Sequence, residues 1–182
     1  MMVRACSIGV VALLFAPFMA PHLVASALSY TTIDFPGALD TEALGINNSG
    51  QIVGVYQSQT HVNHGFLLDG SVFTTIDPPG STSTFATGIN DSGQIVGSYV
   101  SNGMQHGYLL SGSVLTTIDP PGSLETFLWG INNSGQVVGW HMDTTGPPFN
   151  HHGFLWDGGV FTAIDFPGAR TTERQRESIT AG

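Results

Sequence analysis

Lysine is absent from all 182 residues, and the only arginines are Arg4, Arg170, Arg174 and Arg176. Between Leu28 and Ala169 the charge is therefore acidic only, apart from histidine, and the chain as a whole carries a net charge of −9. A surface of that kind cannot neutralise phosphates, which excludes nucleic acid and anionic membranes as partners. Cysteine is nearly absent too. The one thiol, Cys6, lies in the N-terminal segment, so no disulfide can brace a core. Beyond the N-terminus there is no apolar run long enough to cross a bilayer. Charged residues make up only 9% of the chain against 41% hydrophobic, a globular balance rather than a disordered one.

The first 27 residues have the form of an export signal. Arg4 stands in a short basic region, Ile8 to Ala20 is apolar, and Ala25-Ser26-Ala27 supplies small residues for cleavage. Removal after Ala27 would take Cys6 with it. The expected location is secreted or extracellular, with the periplasm or cell surface included.

Glycine and proline are abundant, and they recur at fixed offsets. Thr31-Thr32-Ile33-Asp34 repeats as Thr74 to Asp77, as Thr116 to Asp119 and, with one change, as Thr162 to Asp165. Gly45-Ile46-Asn47-Asn48-Ser49-Gly50-Gln51-Ile52-Val53-Gly54 returns from Gly88 to Gly97 and from Gly130 to Gly139, each time with a single substitution, Asp91 or Val137. Self-similarity at a period of about 40 to 45 residues is the mark of a repeat architecture. The copies cover approximately 37–79, 80–121 and 122–167 within a domain spanning 28–168.

Each copy divides into four short strands. In the first, a strand ending at Ile46 reverses through Asn47 to Gly50, residues that tolerate left-handed conformations, into Gln51 to Tyr56. His64 to Leu68 is the third strand, and Asp69-Gly70 signals a type I′ turn into Ser71 to Asp77. Pro79-Gly80 suits the centre of a type II turn, as do the pairs at 36–37, 121–122 and 167–168. Four antiparallel strands per copy make a blade, and a blade buries its faces only by stacking on others. The expected fold is all-β, a β-propeller-like array of about three four-stranded blades and incomplete as a ring; a β-trefoil is the alternative. Tyr30 to Asp34 stands ahead of the first copy as an orphan fourth strand, the kind that fastens a ring. Three blades would leave open sheet edges, through which copies could self-associate.

The Gly-Ile-Asn-Asn-Ser-Gly-Gln-Ile-Val-Gly block followed by a His-Gly-Phe-Leu step resembles the HAF family of extracellular repeat proteins across nearly all of Ser29 to Gly168. The family's His-Ala-Phe step is here His64-Gly65-Phe66, His106-Gly107-Tyr108 and His152-Gly153-Phe154, with glycine in place of alanine throughout. The resemblance implies an exported, propeller-like protein and brings no catalytic residues with it.

The segment 169–182 departs from the pattern and holds three of the four arginines. Back-translated from Glu173 and read two nucleotides later, its permitted codons include Ala-Ala-Thr-Gly-Ile-Asn-Asn-Ser-Gly, the repeat's own turn. The expectation is a broken fourth repeat, the chain being a frameshifted fragment of a longer array, with a non-functional remnant as an alternative to any function; a polar tail is the other reading.

Several residues recur where chemistry would need them. Asp34, Asp77, Asp119 and Asp165 form a periodic row, but one carboxylate per copy is too few oxygens for calcium, and capping of the Pro-Gly turn explains them. His64, His106 and His152 also recur once per copy and suit an inter-strand hydrogen bond. The Asn-X-Ser triplets at 47, 90 and 132 match a glycosylation pattern that the hairpin turn explains equally well. The connection between the second and third strands varies in length. In the third copy it brings Trp140, His141, Asp143, Phe149 and His151, a set able to stack on a sugar or grip a peptide, with His141, Asp143 and His151 as conceivable metal ligands. No nucleophile elbow, catalytic triad order or close glutamate pair is present. The expected function is a non-enzymatic scaffold or binding module for carbohydrate or protein at the cell surface, without cofactor or metal. The alternative is a propeller-based hydrolase or lyase using Glu42 and Glu125.

Overall fold

Alternating apolar and polar residues, broken every five to eight positions by glycine turns, produce twelve short strands and no helix in the computed structural model, which describes residues 28–143 and 150–164. Residues 1–27, expected to be an export signal, and the region 165–182 with the expected repeat break lie outside the described residues. The first copy forms β1 (Asp40–Ile46), β2 (Ile52–Gln57), β3 (Asn63–Asp69) and β4 (Val72–Ile76). The second forms β5 (Ser83–Ile89), β6 (Ile95–Ser101), β7 (Met104–Ser111) and β8 (Val114–Ile118). The third forms β9 (Glu125–Ile131), β10 (Val137–Asp143), β11 (Asn150–Asp157) and β12 (Val160–Ala163). Each copy is one antiparallel sheet in sequence order, and the three sheets make an open, propeller-like row. A trefoil would pair strands of different copies, whereas here every ladder closes within one copy.

Tyr30 to Asp34 forms no strand. Each of the three sheets already contains its own fourth strand, so none of them has a place for an orphan to fill.

Turn chemistry differs from the simplest expectation at two places. In the Asn-Asn-Ser-Gly turn only the glycine is left-handed, with φ near 80° at Gly50, and Gly50 N–H closes the turn on Asn47 O at 3.0 Å. The asparagines keep a negative φ. The β3–β4 loop is Gly70-Ser71 with only Gly70 at positive φ, the II′ pattern rather than I′, because serine resists the left-handed region. Among the loops that join the third and fourth strands of a copy, only Gly158 and Gly159 are both positive, as I′ requires. The Pro79-Gly80 turn closes as expected, Ser81 N–H donating to Pro78 O at 3.0 Å.

A β-bulge interrupts the β1–β2 ladder between Ala43 and Gly45, and again at the equivalent points of β5–β6 and β9–β10. The extra residue is Leu44, Thr87 or Trp129. Thr87 uses its hydroxyl to donate to Leu128 O of the next sheet at 2.7 Å. The bulge also lets the first strands meet closely: a Cβ on Gly88 would stand 3.2 Å from the Cα of Gly130.

The core lies between sheets, with a distinct face of each sheet turned to each neighbour. Val53 and Ile76 of the first sheet pack against Ala86, Ile89, Ile95 and Tyr108 of the second. Val96 and Ile118 of the second pack in the same way against Leu128, Val137 and Phe154 of the third. Each sheet thus has a forward face and a backward face of different composition, and the junctions run head to tail.

Tyr108 takes the core position that phenylalanine holds at 66 and 154, and its buried hydroxyl has no hydrogen-bond partner. Burial, with the Asp77 charge adding to it, pushes the phenol well above its ordinary pKa. Leaving such a group unsatisfied costs about 1–3 kcal/mol. Tyr108→Phe is therefore expected to raise stability by about 1 kcal/mol or more, read as a higher urea midpoint. A lower midpoint would mean that the hydroxyl has a partner.

The asparagine turns stack on one rim of the row. Asn47 Nδ2 donates to Asn90 O and Asn90 Nδ2 to Asn132 O, both at 3.1 Å. Beside them Asn48 N–H donates to Asp91 Oδ1 and Asp91 N–H to Asn133 Oδ1, both at 2.9 Å. Asp91 also accepts the side-chain amides of Asn48 and Asn133. These bonds, led by the Asn48 backbone N–H, hold the Asp91 carboxyl below the usual carboxylate range.

Candidate functional site

The opposite rim carries the residues singled out for chemistry. It is built from the β2–β3, β6–β7 and β10–β11 hairpins together with the Pro-Gly links, because antiparallel order brings all of these to one edge. Gln59 Nε2 donating to Gly37 O at 3.0 Å ties hairpin to link. The hairpins differ in construction. The first closes through Ser58 to Val62 with His61 left-handed, the second through the two-residue pair Asn102-Gly103. In the third, β10 and β11 pair as far as Asp143 with Asn150.

On this rim His64 Nδ1 lies 2.8 Å from Asp77 Oδ2, and His106 Nδ1 lies 2.7 Å from Asp119 Oδ2. The register explains both pairs. Gly65 sits opposite Ile76, and Gly107 opposite Ile118, so each preceding histidine faces the aspartate just beyond the fourth strand. Asp119 Oδ1 accepts the Gly107 N–H at 3.1 Å as well. The carboxylates at 77 and 119 thus bind the histidines, while the Pro-Gly turns are closed by main-chain bonds. With the carboxylate on Nδ1, that nitrogen is the donor and the neutral ring carries its proton there.

An aromatic completes the cluster. Tyr56 lies over His64 with centroids 5.1 Å apart and bonds Thr75 Oγ1 at 3.0 Å; Tyr99 repeats this with His106 at 5.4 Å and Thr117 at 3.1 Å. The sequence reading missed the tyrosines and threonines. Their signal was present as the recurrence of tyrosine two residues after the second-strand glycine, at Gly54 and Gly97.

The third copy breaks this pattern. His141 replaces the tyrosine, its ring 5.6 Å from His152 and 6.0 Å from Phe154. His152 Nε2 is 4.0 Å from Asp143 Oδ1. Asp34, exposed, and Asp165, outside the described residues, complete the aspartate row.

The hairpin residues proposed to bind divide between the two faces of the third sheet. Trp140 and Met142 alternate with His141 and Asp143 along β10, and His151 pairs with Met142. Trp140 and His151 therefore share one face, their rings 4.5 Å apart and edge to face, while His141 and Asp143 share the other with His152. His141, Asp143 and His151 do not converge as a ligand set, and among the described residues no group of three histidine, cysteine or acidic side chains is placed to hold a metal. Phe149 lies outside the described residues. Phe127 extends the aromatic face, parallel to Trp140 at 6.1 Å and 4.4 Å from the exposed Trp129.

Glu42 and Glu125 do not form a pair. Glu42 is opposite Val55, in the slot that Phe85 and Phe127 fill in the later copies. Glu125 is opposite Met142, in the slot of Asp40 and Ser83. Strand β5 packs between β1 and β9. Glu42 shares a face with Asp40, two residues away on the same strand, and the two line a cavity of about 180 Å³ with Gln57, Asn63 and Phe85. A larger cavity of about 370 Å³ lies at the first junction, walled by Leu67, Ile76, Ile95, Leu110 and Leu115, with Asp77 at its edge. Neither a family model, nor a curated protein, nor a solved structure matches this chain.

Proposed function

We propose that the chain is an exported, HAF-like binding module or scaffold without enzymatic activity, meeting carbohydrate or protein at the cell surface through the hairpin rim of its third repeat. The observation that carries this reading is the aromatic face of Phe127, Trp140 and His151 beside a hairpin that differs from copy to copy. Aromatic rings present an apolar surface to the C–H face of a sugar or to a peptide side chain, and polar neighbours set orientation. A variable connection on a repeated scaffold is the place where selectivity is easiest to change. The acidic surface excludes nucleic acid, and no helix among the described residues is long and apolar enough to cross a membrane.

The test is a glycan array followed by titration of any positive. Trp140→Ala is expected to weaken binding roughly tenfold, the size of one lost aromatic contact. Turnover of a glycan that disappears in Glu125→Gln would overturn the non-enzymatic reading in favour of a hydrolase or lyase.

A further inference from the structure

The two internal junctions leave a matching pair of faces at the ends of the row, the backward one covered in part from within the chain, since Phe66, the counterpart of Tyr108, is fully buried against Phe35 and Phe73. On the forward side, Val96 and Ile118 are 0% and 2% exposed within the row, but their counterparts on the third sheet, Val138 and Ile164, are 44% and 56% exposed. On the backward side, Ile89 is 7% exposed, and its counterpart on the first sheet, Ile46, is 66% exposed. These are the two halves of one interface that the chain already makes twice. We propose that the forward face of the third sheet docks on the backward face of the first sheet of a second copy of this chain, repeating the internal junction between molecules.

Hydrogen bonding along the turn rim supports the same polarity. At each internal junction an asparagine side chain donates forward to the main-chain carbonyl of the next asparagine. At the ends of the row, Asn132 Nδ2 and the carbonyl of Asn47 offer the donor and acceptor of a third rung. Asn133 and Asn48 fit the second line of the ladder, since an asparagine side chain at 133 already accepts the Asp91 N–H. One corner of the backward face is filled from within the chain, by Phe35 stacked on Tyr56 at 3.6 Å. Phe35 holds the repeat position of Pro78, which is buried, while Ile46 stays exposed and Ile52 half-buried for the incoming sheet.

A contact between two different faces is heterologous and extends until it closes. Two chains supply six blades, within the usual four to eight of a ring. Trp140 lies two residues from Val138 on the same face of β10, in the repeat position of the buried Ser98, so the rings proposed to meet a ligand form the hairpin end of the docking face and a ligand there competes with the second copy.

Sedimentation velocity over a concentration series tests it. The unmodified protein is expected to associate. Val138→Lys and Ile46→Lys, both at exposed positions, are each expected to weaken association at least tenfold while leaving the circular dichroism spectrum unchanged, and the melting midpoint unchanged at concentrations where the unmodified protein is monomeric. Mixed one to one, the two variants retain one good forward face and one good backward face and are expected to form a heterodimer. A protein that is monomeric at every concentration overturns the proposal, and so does a mixture that stays monomeric. Association lost in Val138→Lys and kept in Ile46→Lys also overturns it, because the forward face would then be pairing with itself.

Discussion

Replacing Gly97 by alanine is expected to destabilise the protein by about 3 kcal/mol or more, the upper end of what overpacking costs. Gly97 lies on β6 opposite Ala86, where the bulge in β5 begins. The bulge turns the Phe85 carbonyl across the neighbouring strand, and an alanine Cβ at 97 would overlap that oxygen while standing 2.9 Å from the ring of Tyr108. Neither obstacle is the free end of a flexible chain: one is backbone, the other a fully buried ring. Gly54 and Gly139 meet the Glu42 and Phe127 carbonyls in the same way. Gly93→Ala is the control. Gly93 has φ near 74° and nothing within reach of a Cβ, so only left-handed strain of about 1 kcal/mol is expected. Urea denaturation distinguishes the two, and equal midpoints for both variants would show that the bulge does not constrain Gly97.

Asn90→Ala is expected to cost about 3 kcal/mol, well above the same change at Asn132. Asn90 is buried, and all of its side-chain capacity is in use. Nδ2 donates to Gln94 Oε1 at 2.7 Å and to Asn132 O, while Oδ1 accepts Ser92 N–H at 3.1 Å and Gln94 N–H at 3.0 Å. Alanine leaves the two backbone donors and two acceptors without their partner in a place where water is scarce. Asn132 makes the corresponding bonds within its own turn, but it is exposed at the end of the row, where water replaces what is lost. About 1 kcal/mol is expected there. Because a repeat array is held by nearest-neighbour junctions, Asn90→Ala should also speed amide exchange at Ser92 and Gln94 and weaken the second junction, while the main-chain carbonyl that accepts from Asn47 at the first junction remains. Equal losses at positions 90 and 132 would mean that the ladder contributes only locally.

Much of the fold was legible because each device is local. A strand of alternating residues, a Pro-Gly pair and a left-handed glycine each act within four or five residues, and their recurrence gave the four-strand unit and its order. The details that failed were those in which more than one backbone solution suits the same residues. Asp69-Gly70 reads as a type I′ signal, yet Ser71 holds the loop in the II′ pattern. Asn47 and Asn48 read as left-handed turn residues, yet Gly50 takes that conformation alone. The orphan strand at Tyr30 to Asp34 has the right residues and no vacant sheet position to use them in.

The candidate site was legible in part. The histidine and aspartate rows are periodic, so both could be named from the sequence, but their pairing depends on strand register, which sets His64 across from Asp77 and not beside its own turn. The third-copy residues could be named as a group, but one group in sequence became two in space. Alternation along β10 sends Trp140 to one face and His141 and Asp143 to the other, and this separated the proposed metal ligands.

By itself, the sequence determined the all-β class, the repeat and the positions of the turns, because period and turn chemistry are properties of neighbouring residues. Only the tertiary structure decided what the repeated asparagines do. They read as turn formers and are also the rungs between sheets, since an acceptor 42 or 43 positions away comes within reach only after the sheets stack. The tertiary structure also decided that the junctions run head to tail, because the two faces of a strand are distinguished by what is packed against each.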